Sequence, residues 1–282
     1  MKEKYGRRYS YPMLIWLTVF FVFPFVIILA GSFMGRGLYG GFEPVFSLDA
    51  YKALLSNTMR KVTFNTIFIS FVTTFITVFT AVPAAYYIAR SKYKEKLLFL
   101  VIIPFWTNFL IRIFAWITIL GNNGLVNTFF TGIGLFGAPV QLLYNRWAII
   151  LIMIYTSLPF AILPLYAVIE KFDFSLLEAA RDLGATRWQS MLKILMPLIV
   201  PGISTAVLFT FIPAFGNFAI PDIVGGNDVR MLGNIINEKL KTVRNWPSAA
   251  AISMILTAIS VVMVLTFNRI TSSNDKKSGG RG

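Results

Sequence analysis

Cysteine and histidine are both absent from the sequence. Without them the chain has no disulfide, no thiol nucleophile, no imidazole metal ligand and no Ser–His catalytic pair. Acidic residues are scarce: 12 Asp and Glu stand against 26 Lys and Arg, a net charge of +14. No GxxxxGK followed by Ser or Thr occurs, so the chain carries no phosphate-binding loop of that kind. Charged residues of either sign make up only 13%, while 56% are hydrophobic and the mean hydropathy is +0.70. An ordinary soluble domain is about half apolar and about a quarter charged, so this composition excludes one.

What is present is a set of long apolar runs. A bilayer is crossed by roughly 20 apolar residues in a helix, and six runs reach that length: 12–33, 62–89, 97–119, 147–169, 196–220 and 249–268. The expected fold class is therefore all-α, a polytopic membrane protein with six transmembrane helices. The first run follows the basic "MKEKYGRR" but is too long for a signal-peptide core, and reads as a retained anchor. Lys and Arg cluster in groups of four at the N-terminus (Lys2, Lys4, Arg7, Arg8), in "RSKYKEK", in the 170–195 loop and in the tail (Arg269, Lys276, Lys277, Arg281). These four groups hold sixteen of the 26 basic residues. Such an excess beside span ends marks the cytoplasmic side, so both termini and the 170–195 loop are expected there. The positive charge then serves topology, and nucleic acid is not an expected partner. Segments 34–61, 120–146 and 221–248, rich in Gly, Asn and Pro, read as outer loops with short interfacial helices. "TSSNDKKSGGRG" reads as a disordered tail. The organisation expected is 1–61 as N-terminal segment, first span and outer loop, 62–268 as core with a loop at 170–197, and 269–282 as cytoplasmic tail.

The 170–197 loop is charged and carries its own start and stop signals. Ser175 and Glu178 fit one capping box and Thr186 and Gln189 a second. Gly184 between them suits the left-handed residue that ends a helix, and Pro197 lies where the second helix meets the membrane. The first helix places Leu176, Ala179, Ala180 and Leu183 on one face, with Glu178, Arg181 and Asp182 around it. Spacing alone allows two uses for that face: docking in a partner's groove, or resting on the bilayer or on the chain's own bundle.

The segment "EAARDLGATRWQSMLKILMP" resembles the EAA loop of the permease subunits of binding-protein-dependent ABC importers. Glu178, Ala179, Ala180, Gly184, Ile194 and Pro197 fall in register with that pattern. Met196 stands where Leu is usual, a change that conserves volume. The segments at 103–120, 158–173 and 244–253 resemble the permease of spermidine/putrescine importers that pairs with a second, non-identical permease. The resemblance implies a type I ABC importer fold, with Ser175, Glu178–Asp182, Gly184, Thr186 and Arg187 forming a coupling element seated in a cleft of an ATPase. It also implies a complex of this chain, a paralogous permease, two ATP-binding subunits and an external or periplasmic polyamine-binding protein. ATP and Mg²⁺ would sit on the ATPase, with no cofactor on this chain.

A polyamine route is expected along the third and fifth spans. At ~1.5 Å per residue, Trp106, Thr107 and Asn108 lie about 14–17 Å from the cytoplasmic end, near the bilayer midplane. Trp106 can face an ammonium group, or it can fill space while Asn108 hydrogen-bonds between helices. Asp222 at the outer end of the fifth span can meet an arriving amine or cap a turn. Phe211, Phe215 and Phe218 line the route or pack the spans. Arg112, one turn beyond Asn108, reads as a structural or inter-subunit contact, because a cation is a poor host for a polycation. Two other classes fit the sequence less well. A proton-driven secondary transporter ordinarily keeps acidic or His relays inside the membrane, and here every acidic residue falls in a loop or at a span edge. A membrane enzyme lacks an assembled nucleophile and base. Within ABC importers the alternative solutes are ferric ion or a small anion.

Overall fold

In a computed structural model, residues 11–226 and 229–278 are described, the side chains of 268 and 270–278 excepted. The basic residues Lys2, Lys4, Arg7, Arg8 and Arg281 lie outside the described residues. Contacts divide the chain into two units: residues up to Val62 with Leu232–Ile259, and Thr63–Met231 with residues from Ser260 onward.

In the first unit, helix α1 (Tyr11–Gly31) includes a π-helical turn at Thr18–Val22 and exposes nearly all its side chains. A helix apolar all round and bare of protein neighbours has lipid as its natural solvent. The segment after it, expected as irregular loop, forms an antiparallel hairpin of β1 (Met34–Arg36) and β2 (Phe42–Phe46), followed by α2 (Asp49–Leu54). The hairpin is held from outside itself. Arg36 Nη2 donates to the Val243 carbonyl at 2.8 Å, and the Gly41 N–H donates to the Arg244 carbonyl at 3.2 Å. The Phe42 ring meets Trp246 edge-on at 5.6 Å. Helix α12 (Leu232–Lys241) and the start of α13 (Trp246–Ser278) complete this unit. Helix α13 carries helical backbone to Ser278, so the tail expected to be irregular is helical up to that residue.

Helix α3 (Asn57–Arg90) is built the way membrane packing requires. Small and hydroxylated residues (Ser70, Thr73, Thr77, Ala81, Ala85) are buried, while Phe64, Phe71, Phe75 and Phe79 are exposed, the last three in a stacked column. Lipid is as apolar as phenylalanine, so close approach of small residues, rather than burial of large ones, holds spans together.

The third predicted span is not one helix. Helix α4 (Lys94–Ile102) passes into a 3-10 turn at Ile103–Trp106, Thr107 is extended, and α5 (Phe109–Leu120) starts afresh. Pro104 has no N–H to continue the ladder, and Asn108 caps the new helix by accepting the Leu110 N–H at 2.8 Å. Helix α6 (Leu125–Gly132) follows a turn, and α7 (Arg146–Ile169) begins at Asn145, whose Oδ1 accepts the N–H groups of Trp147 and Ala148.

Next come α8 (Ser175–Asp182), α9 (Arg187–Leu198), α10 (Val200–Phe215) and α11 (Ala219–Val224). The fifth predicted span is bent by 69° where α9 gives way to α10 at Ile199. The break lies between Pro197 and Pro201, neither of which donates a backbone hydrogen bond. Among the described residues five stretches have the length and apolarity to cross a membrane: Tyr11–Gly31, Asn57–Arg90, Phe109–Gly132, Arg146–Ile169 and Trp246–Phe267. The bent pair α9–α10 makes a sixth.

Candidate functional site

The loop after α7 is tied down at its first residue. Lys94 Nζ donates to Glu170 Oε1 at 2.6 Å. That hydrogen bond holds the Glu170 carboxyl below its ordinary range and raises the Lys94 ammonium above its own. Phe174 then packs edge-on against Phe172 and Tyr86, and the Arg90 guanidinium stands 5.4 Å from its ring centroid.

The expected Ser175–Glu178 capping box does not form. Asp173 takes the role instead: its Oδ1 accepts the Ser175 N–H at 3.0 Å. Hydrogen bonding from the Ser175 side chain, then from its N–H, keeps that carboxyl below the usual range. Helix α8 ends as expected. Gly184 has φ +87°, its N–H donates to the Arg181 carbonyl at 2.9 Å, and the Ala185 N–H donates to the Ala180 carbonyl at 3.0 Å. This pair of bonds is a Schellman motif. The second box is present: the Thr186 N–H donates to Gln189 Oε1 at 2.9 Å, and the Gln189 N–H donates to Thr186 Oγ1 at 3.2 Å. Arg187 opens α9, exposed.

Helix α8 has one inward side chain, Leu177. It is 1% exposed and sits in a cluster with Ile169 of α7, Leu195 of α9 and Ile199 at the bend. Sequence spacing missed it, because the i, i+3, i+4 pattern picked out a stripe about 110° around the helix. That stripe faces away: Leu176 and Ala179 are exposed, Ala180 is half-buried and Leu183 is 90% exposed. Trp188, on α9, is 75% exposed. Glu178 and Asp182 flank the stripe in solvent, whereas Arg181 is half-buried with a shielded Nε that has no acceptor. The loop is thus a short rigid helix, plugged by one leucine into the span bend, with an apolar face left open.

Residues 53–268 match the family described as the binding-protein-dependent transport system inner membrane component. The chain is 36% identical over 264 residues to the spermidine/putrescine transport system permease protein PotB of Haemophilus influenzae, covering 93% of this chain and 92% of that one. The Escherichia coli protein of the same name is also 36% identical, with 93% and 96% covered. The chain belongs to this permease family. In structure, the permease resembles a bacterial ABC transporter that imports the acidic polysaccharide alginate, with TM-score 0.78, 20% identity and 96% of each chain covered. A bacterial alginate ABC transporter in complex with an alginate pentasaccharide-bound periplasmic protein gives TM-score 0.76 at 22% identity, covering 96% and 94%. The permease therefore has the ABC importer permease fold and is a multi-pass component of the inner membrane.

The remaining predicted residues of the permease do not form one cluster. Trp106 lies at the break before α5, 74% exposed, with its ring edge-on to Phe99 at 5.7 Å. Asn108 caps α5, and among the described residues its side chain bonds to no other helix. Phe215 is fully buried and stacked on Phe211 at 5.3 Å. Asp222 lies exposed in the first turn of α11. Arg112 faces a cavity of about 200 Å³ between α5, α7 and α10.

Proposed function

We propose that this permease passes polyamine, spermidine or putrescine, from an external or periplasmic binding protein to the cytoplasm. Its similarity along nearly the whole chain to permeases named for that transport carries the reading. In this reading a second, homologous permease supplies the other half of the pathway. Two separate ATP-binding subunits hold ATP and Mg²⁺ and hydrolyse it, and this chain binds no cofactor. Both termini and the α8 loop face the cytoplasm, as the basic clusters beside the spans favour.

The residues around α8 then divide the work. The open stripe of Leu176, Ala179, Ala180 and Leu183 enters a cleft in the ATPase, and Glu178, Arg181, Asp182 and Arg187 orient it. Ser175, Gly184 and Thr186 hold its ends. Leu177 passes its displacement to the α9–α10 bend. Along the route Trp106 offers a ring face to an ammonium group, a contact of about 2 kcal/mol when desolvated, and Asp222 meets the cation at the outer mouth.

A permease for a small anion has one observation in its favour, the positive Arg112 at a cavity without a carboxylate. Uptake of radiolabelled spermidine and putrescine by cells expressing the full set of subunits, then with each subunit omitted, separates the two. The polyamine reading predicts saturable uptake that disappears with any omission. Absence of polyamine uptake in the complete set, with uptake of an anion instead, contradicts it.

A further inference from the structure

The cavity beside Arg112 is lined by Phe105, Phe109, Thr156, Phe209 and Asn217 among others, and none of its lining residues is acidic. The Arg112 guanidinium lies 4.2 Å from the centroid of Phe105 and 5.9 Å from that of Phe109. Its Nε and Nη1 are shielded from solvent and have no hydrogen-bond acceptor among the described residues. The Thr156 hydroxyl donates to its own helix, to the Ile152 and Met153 carbonyls, and Asn217 Oδ1 accepts the Ile220 N–H. Among the described residues, no group on the cavity wall supplies a negative charge.

An aromatic face attracts a guanidinium but offers no lone pair to its N–H groups. Donors without acceptors at membrane depth are costly, and an unpaired charge more so. A carboxylate is the usual partner of an arginine away from water, and one entering the cavity meets the guanidinium from that side. Two of the cavity's own lining residues, Phe160 and Phe209, are more than half exposed, an apolar rim that another span can cover. A free inorganic anion would have to shed its hydration to enter aromatic walls. A carboxylate already mounted on a protein span meets the arginine as the subunits assemble.

We propose that Arg112 is neutralised by an Asp or Glu side chain on a membrane span of the second permease subunit, so that this cavity is one half of a charge pair between subunits. The inference rests on the reading that two different permeases form the pathway. It does not depend on which solute they carry.

Carbodiimide coupling tests it in the assembled transporter. The R112K variant places a primary amine at the cavity, and dicyclohexylcarbodiimide, which enters membranes, joins such an amine to an adjacent carboxylate. The expected product is an amide between position 112 and an Asp or Glu in a span of the second permease, identified by peptide mass spectrometry and absent from wild type. A complex that is assembled and active yet gives no such link, or a link within this chain or to another copy of it, overturns the proposal. R112Q supplies a second readout. It should make the two permeases separate in detergent at least about tenfold more readily, because it strands a buried carboxylate, and Asp→Asn or Glu→Gln at the linked position should reverse that loss. Unchanged subunit affinity in R112Q, or stabilisation of the isolated chain by millimolar chloride or formate equal to that from the second permease, overturns it. Since neither readout uses transport, failure of polyamine uptake leaves this result standing, and the reverse also holds.

Discussion

Gly184 carries the clearest prediction at the scale of single residues. Its φ of +87° costs an L-residue about 1–2 kcal/mol, and a Cβ there would meet no atom within 4 Å. Substitution therefore tests the backbone alone. Gly184→Asn should retain most transport, Gly184→Ala less, and Gly184→Val none, with equal amounts of protein in the membrane. ATPase stimulation by loaded binding protein follows the same order, and a fully stimulated Gly184→Val complex would refute the role given to this turn. Trp106→Ala and Asp222→Asn should each lower polyamine uptake per purified complex roughly 5- to 30-fold, the value of a contact of ~1–2 kcal/mol; unchanged normalised uptake removes both from the pathway. The glycine was legible in sequence because a left-handed helix end has few other solutions. The cap at the other end of α8 was not. Asp173 and Ser175 are both capping residues, and the aspartate, two positions earlier, reaches the Ser175 N–H first. Its folded-state carboxyl is lowered, so the cap's contribution is present above the ordinary carboxylate value of ~4 and is lost as pH falls through the lower folded value. Coupling should thus not weaken through this group at neutral pH.

For whole elements, the connection between α8 and the spans rests on Leu177. Leu177→Ala removes a fully buried side chain at a cost of about 2–5 kcal/mol from the contact that joins α8 to Ile169, Leu195 and Ile199. Thr186→Ala removes one cap, at about 1 kcal/mol. The account expects basal ATPase to persist in Leu177→Ala while its stimulation by binding protein falls, with Thr186→Ala lying between it and wild type. Equal stimulation in all three, measured on purified complexes, would show that α8 moves the spans by another contact. Hydropathy located the spans but hid their breaks. Residues around Pro104 and Pro197–Pro201 are as apolar as their neighbours, and proline within a span is ordinarily tolerated, as Pro159 and Pro164 are within α7. Whether a proline kinks or ends a helix is decided by groups that satisfy the freed backbone, such as Asn108, and those become evident only in three dimensions. The hairpin at β1–β2 escaped for a related reason: beyond its own ladder, the bonds that tie it down come from Val243 and Arg244, some 200 positions away in sequence.

The molecule as a whole was legible as a membrane permease because the EAA pattern and six apolar runs are local signals. Its orientation and its solute rest on less local grounds. Reporters placed after Lys277 and within 122–137 should give cytoplasmic and external signals respectively, and the opposite pattern at either site refutes the six-span arrangement. In the proposed function, ATP hydrolysed on other subunits drives polyamine through this chain by way of α8. The most direct test is spermidine accumulation in proteoliposomes holding the complete complex, with ATP inside or absent, comparing wild type with Leu177→Ala. The account predicts accumulation only with ATP and loaded binding protein, and at least tenfold less of it in Leu177→Ala at equal basal ATPase. Accumulation without ATP, or a Leu177→Ala complex that accumulates spermidine as fast as wild type, would contradict it.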